Sequence, residues 1–200
     1  MSFLTESPPK SLNINGTEYP INADFRAVLR YNEMIKHHTE ELEYLEQCLL
    51  CIFEQIPEDL GEAVRQVNWF IACGKEEKKK RPSNKVLGIN NNTPFDFNTD
   101  GELIYSAFRR QDAYGIDLHK IDFLHWWEFM AMLNDLPNGT QLSKVMECRV
   151  IDTSNKNISK EQRDYYSAMQ RYYKIQAERD QRDEELVKAL REGRDPTPYL

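Results

Sequence analysis

The chain has 200 residues, 40% hydrophobic and 30% charged, with a net charge of -7 and a mean hydropathy of -0.72. That length supports one sizeable core with appendages, and so high a charged fraction puts part of the chain in a solvated helix or linker. The acidic balance argues against a phosphate-binding surface, because nucleic-acid affinity comes largely from Lys and Arg neutralising phosphates.

Residues 1–10 lack a basic region followed by an apolar core, and no apolar run approaches the roughly 20 residues that span a bilayer. The reading at this point is a cytosolic protein without membrane or nucleic-acid partners. Asn15-Gly16 stands between two short runs of alternating apolar residues, the strongest short-range signal for a tight hairpin. Pro20 cannot donate to a ladder, so the hairpin is small and lies on an edge. Phe25, Val28, Leu29 and Ile35 recur with helical spacing, as do Leu42, Leu45, Leu49, Ile52 and Phe53. A third amphipathic helix is expected after Pro57, with Gly74 as its stop.

Residues 75–94 have no periodicity and many turn formers, so they read as a loop or linker. Their basic run Lys78-Lys79-Lys80-Arg81 follows Glu76-Glu77 and reads as solvated charge. Another helix is expected from Thr99 or Asp100, carrying Leu103, Ile104, Ala107 and Phe108 inward. Leu118 to Leu136 holds two Trp, two Phe and two Met and reads as a core-forming helix, with at least one indole buried against Phe108 or Phe123. Leu142, Val145 and Met146 mark a short helix. Ser159 and Gln162 make a capping box that opens a long charged helix, with Tyr165, Tyr166, Met169, Tyr172 and Tyr173 on its first half and an exposed arm over its second.

The fold class is therefore mainly α: a helical bundle with a small N-terminal β-hairpin and a long charged C-terminal helix. The expected units are 1–22, an N-terminal segment with the hairpin; 23–74, a first helical unit; 75–94, the linker; 95–152, a second helical unit with an aromatic core; and 153–200, the charged helix and tail.

Candidate chemistry is sparse. Asp96, Asn98 and Asp100 open like a calcium loop, but Ala107 stands where the loop needs a bidentate carboxylate, so helix capping is the favoured role. Cys48 and Cys51 have redox or zinc spacing but lie on an apolar stripe without a second ligand pair, and no disulfide is expected. His37 and His38, adjacent on a helix, point about 100° apart and make a poor ligand pair. His119, Asp122 and His125 could form an acid–base group, yet no nucleophile, oxyanion donor or phosphate cradle accompanies them, and the histidines read as the edge of an aromatic core. No catalytic residue, cofactor site or metal site is expected. The Tyr165 to Tyr173 stripe suits either core packing or a partner, since Tyr and Met bury apolar area while tolerating water.

Three segments taken in order carry a resemblance. Tyr19-Pro20-Ile21 leads into Asp24-Phe25-Arg26; Phe95 to Phe97 precedes Ile104-Tyr105 and Phe108; Tyr114 to Leu118 precedes His125-Trp126-Trp127. In this the chain resembles the bacteriophage gene-product-fifteen family of tail genes. The resemblance brings no catalytic residues with it. It implies a non-enzymatic tail assembly chaperone that binds the phage tape measure protein in the host cytoplasm and is absent from the mature virion. The major tail protein is a further candidate partner, and self-association is open. It also implies that the charged last helix is an addition to a minimal chaperone. The alternatives are a minor structural or connector protein of the tail and a metal-dependent regulatory protein.

Overall fold

The computed structural model describes residues 3–37, 42–75 and 82–175. The chain is mainly helical, with a two-stranded hairpin, β1 (Ser11–Ile14) and β2 (Thr17–Pro20), ahead of eight helices among the described residues. These are α1 (Phe25–His37), α2 (Leu42–Leu49), α3 (Leu60–Ile71), α4 (Asn84–Leu87), α5 (Gly101–Arg109), α6 (Trp126–Asn134), α7 (Gln141–Val150) and α8 (Lys160–Tyr172).

The hairpin turns at Asn15 (φ 51°) and Gly16 (φ 90°), the two left-handed positions that Asn-Gly supplies at low steric cost. Leu12 and Ile14 point into the core, and Ser11 pairs with Pro20 at the open end of the ladder, where the missing N–H costs little. α3 begins at Asp59, whose carboxylate accepts the Glu62 N–H at 2.9 Å, and Gly74 follows the helix at φ 64°. A Cβ on Gly74 would meet the Trp127 ring at 2.8 Å. A side chain there is barred by both the backbone conformation and the indole.

The three segments that carry the family resemblance converge on one seam. Phe25 N–H donates to Leu124 O at 3.0 Å and Trp126 N–H to Ala23 O at 2.8 Å, an isolated antiparallel bridge joining the start of α1 to the start of α6. The buried Asp24 carboxylate accepts the N–H groups of Arg26 and Leu124. Phe25 stacks on Phe129 at 4.7 Å, and the Arg26 guanidinium donates to the carbonyls of Leu118 and Ile121. Each residue of the Asp-Phe-Arg motif thus reaches residues 118–129. Phe97, from the middle segment, packs on Trp126 at 5.9 Å and Phe129 at 6.3 Å.

Both indoles are buried, Trp126 at 2% and Trp127 at 5% exposure. Their rings do not lie where sequence spacing put them. Trp126 rests on Phe97 and Phe129, while Trp127 meets Trp69 and Phe70 of α3. Their N–H groups donate to Ile71 O and Phe70 O at 2.9 and 2.8 Å, satisfying the C-terminal end of α3. Phe123 is 46% exposed, and the helix begins only at Trp126, because residues 118–125 are spent on turns and on the seam. Leu42, expected on a buried stripe, is 70% exposed, and Ile52 and Phe53 reach the core from a turn after α2 rather than from a helix.

His125, expected at the edge of the core, is buried and makes the joint itself. Its Nδ1 accepts the Trp127 N–H at 3.0 Å, capping α6, and its Nε2 lies 2.9 Å from Pro9 O. A neutral ring carrying its proton on Nε2 satisfies both contacts. Burial pushes its pKa below the ordinary 6.5, although the Pro9 carbonyl and Glu128 favour the charged form. Because the folded value is depressed, the unfolded chain takes up the proton first. Stability is present above about pH 6.5 and falls as the pH drops below it. The melting temperature is expected to fall between pH 7 and pH 5, and His125→Gln should flatten that slope. Asp59, Asp96, Asp117 and Asp152 are held below 3.8 and act only at lower pH. An unchanged slope in the variant would remove the imidazole as its source.

Candidate functional site

The tyrosine stripe lies on α8, which packs against α7. The expected capping box is present: Ser159 Oγ accepts the Gln162 N–H, and Gln162 Oε1 accepts the Ser159 N–H. The stripe does not stay on one side of the helix. Tyr166, Met169 and Tyr173 are half-buried, whereas Tyr165 is 55% and Tyr172 78% exposed. The spacing explains the division, since positions 165 and 172 are seven apart and share a flank, while 166, 169 and 173 share the inward one. Ring contacts link the two sets, Tyr165 with Tyr166 at 5.2 Å and Tyr172 with Tyr173 at 4.8 Å. Burial raises the Tyr166 pKa, with Glu147 and Cys148 of α7 adding to it. The second half of the expected long helix lies outside the described residues.

Arg149 fixes α8 to the body, a role the sequence reading missed. Its guanidinium is buried with the Asp100 carboxylate in a two-pronged pair, Nη1 to Oδ2 at 2.5 Å and Nη2 to Oδ1 at 2.9 Å. The same side chain donates from Nε to Tyr173 O at 2.6 Å and from Nη1 to Pro94 O at 3.2 Å. Gln170 Nε2 donates to Ile151 O at 2.9 Å, and Asn90 and Asn92 amides donate to Arg149 O at 3.0 Å each. The carbonyl end of α7 is therefore closed by side chains from residues 90–92 and from α8. Arg149 is one of several polar residues on α7, with Gln141, Ser143, Lys144 and Glu147, and nothing local identifies its partner 49 positions away.

The other candidates resolve into structural duties. Asp96 Oδ1 accepts the N–H groups of Asn98 and Thr99. Asp100 stands at the N-cap of α5 but makes no cap bond; its Oδ2 accepts the Asp96 N–H at 2.9 Å and faces Arg149. That corrects the capping role expected for Asp100. His119 and Asp122 are exposed, with His119 beside Tyr105 at 4.7 Å, while His125 is buried with both nitrogens engaged. All four cysteines are free thiols; Cys48 is buried, and Cys51 lies past the end of α2 with its Sγ 3.5 Å from Met34 Sδ. Burial raises the pKa of each. Among the described residues no group of three or more His, Cys, Asp or Glu could hold a metal ion, and no helix is long and apolar enough to cross a membrane. His38 lies outside the described residues.

Residues 4–175 match the family model of the Bacteriophage Gp15 protein. The chain belongs to that family. Membership supports a general, chaperone-like role in phage tail morphogenesis. The match runs through all of α8, so the tyrosine stripe falls inside the Gp15 region, contrary to the expectation that the last helix is an addition. No curated protein and no solved structure matches the chain.

Proposed function

We propose that this Gp15 protein is a non-catalytic tail assembly chaperone that binds the phage tape measure protein in the host cytoplasm and leaves before the virion is complete. The observation that carries the reading is the division of the α8 stripe. Tyr166, Met169 and Tyr173 are half-buried on the inward flank of a helix that packs on α7, which leaves Tyr165 and Tyr172 as apolar area facing solvent on a helix already held in place. Aromatic side chains on a rigid element contribute much contact area at small ordering cost, and they suit capture of an apolar helical stripe on a partner. The net charge of -7 keeps such a complex soluble.

Co-expression with the tape measure protein of the same phage is expected to hold that protein in the soluble fraction. Tyr165→Ser combined with Tyr172→Ser should weaken this effect while leaving the melting temperature within a few degrees of wild type, since both side chains are exposed. If the full-length chain neither binds nor solubilises the tape measure protein, the chaperone reading is wrong. If the double variant works as well as wild type, the function stands and the surface lies elsewhere. Abundance of the chain in purified virions would instead favour a resident tail component.

A further inference from the structure

The cations of α8 gather on one flank. At about 100° per residue, Lys160, Arg163, Ser167 and Arg171 fall within roughly 80° of arc, on the other flank from Tyr165 and Tyr172. Residues 153–175 hold five Lys or Arg against two Asp or Glu, whereas residues 1–152 hold 16 against 24. This basic island sits on an acidic body. Among the described residues, Lys160, Arg163, Arg171 and Lys174 make no ion pair, as is also true of Lys10, Arg30, Lys85 and Lys144 on the body, and Arg163 Nε donates to Thr153 O at 3.0 Å.

The basic flank runs into a groove of about 750 Å³ between residues 91–93 and the C-terminal part of α8. Asn91, Asn92, Arg149, Gln170, Arg171 and Lys174 contribute to its walls, and no carboxylate does. Asn91 Oδ1 accepts from Asn84 at 2.6 Å, which leaves the Asn91 NH2 group as a donor. The negative end of α8 opposes an anion here, but Arg149, donating to Tyr173 O, offsets that end.

We propose that this groove and the basic flank of α8 bind an acidic stretch of the partner polypeptide, its Asp or Glu carboxylates seated by Arg171, Lys174 and the neighbouring amide donors. The proposal rests on the chaperone reading and adds to it the chemistry of the bound segment. The two flanks border the outer surface of α8, with Glu161, Asp164 and Ala168 between them, so a partner meets apolar contact on one side and positive charge on the other, and its acidic stretch is placed on the groove side, away from those two carboxylates. A nucleic acid fits less well, because its continuous run of phosphates would also meet the acidic body.

The test uses the full chain, the variant Arg171→Glu with Lys174→Glu, and the charge-conserving Arg171→Lys with Lys174→Arg. Both side chains are exposed, and circular dichroism checks that each variant is folded. Binding is measured to the tape measure protein of the same phage and to a synthetic peptide alternating Glu and Leu. Charge reversal is expected to weaken both by about tenfold or more, the conservative variant to retain them, and added salt to weaken wild-type binding. Tape measure binding that ignores charge reversal overturns the inference and leaves the chaperone reading intact. Charge-dependent peptide binding without any tape measure binding leaves the acidic-segment site standing and removes the chaperone reading. Equal affinity for a Lys and Leu peptide, preference for a DNA oligonucleotide, or charge-dependent self-association in sedimentation overturns the inference by naming a different occupant.

Discussion

Asp100→Ala is expected to destabilise the protein by about 3 to 5 kcal/mol, because it leaves the Arg149 guanidinium buried without its counter-charge. The remaining partners of Arg149 are the carbonyls of Tyr173 and Pro94, which solvate the cation in part but do not neutralise it. Replacing both members with apolar residues of similar volume, Asp100→Leu with Arg149→Met, should recover most of the loss, since a buried pair contributes little net stability beyond an apolar contact. The double variant should still loosen the end of α8, because Tyr173 O loses its donor. Urea unfolding of the three proteins measures the first two effects, and amide exchange near residues 170–173 measures the third. A cost below about 1 kcal/mol for Asp100→Ala would mean that water reaches the pair.

Trp126→Ala is expected to cost about 3 to 5 kcal/mol and to give insoluble or molten protein. The ring is shared between Phe97 and Phe129, and its N–H closes the Ile71 carbonyl at the end of α3. The loss therefore combines a cavity with an orphaned acceptor. Trp127→Ala should approach it, since that indole fills the space above Gly74 and holds Phe70 O. Near-wild-type stability for both single variants would show that the pair lies outside the core.

Much of the helical layout was legible because apolar periodicity and punctuation agreed. The Asn-Gly turn, the glycine after α3 and the Ser159 capping box are local signals, each decided within a few residues of backbone. What periodicity could not settle was where a helix begins when the residues before it pair across the chain. Residues 118–125 carry Leu118, Ile121, Phe123 and Leu124 and run without a breaker into α6, but the Arg26 guanidinium and the Asp24 bridge claim their carbonyls and amides. His125 was misjudged for the same reason: its role follows from Pro9, 116 positions away. On α8 the stripe was visible and its division between α7 and solvent was not. A list of apolar positions does not say how wide a face the neighbour covers. The Asp100–Arg149 pair required a tertiary match with no local trace.

The bridge between Asp24 and His125 also bears on the order in which the protein is made. The carbonyls to which Arg26 donates, the Leu124 amide that Asp24 accepts and the ring stacked on Phe25 all come from residues 118–129. During synthesis the hairpin and the first three helices therefore emerge with part of their core uncovered. Closure waits for a loop of about 100 residues, a slow, non-local step whose entropy is spent before its contacts form. While it translates, a nascent chain whose proposed role is to shield apolar surface carries such a surface of its own, so ribosome pausing upstream of Trp126 should raise its demand for host chaperones.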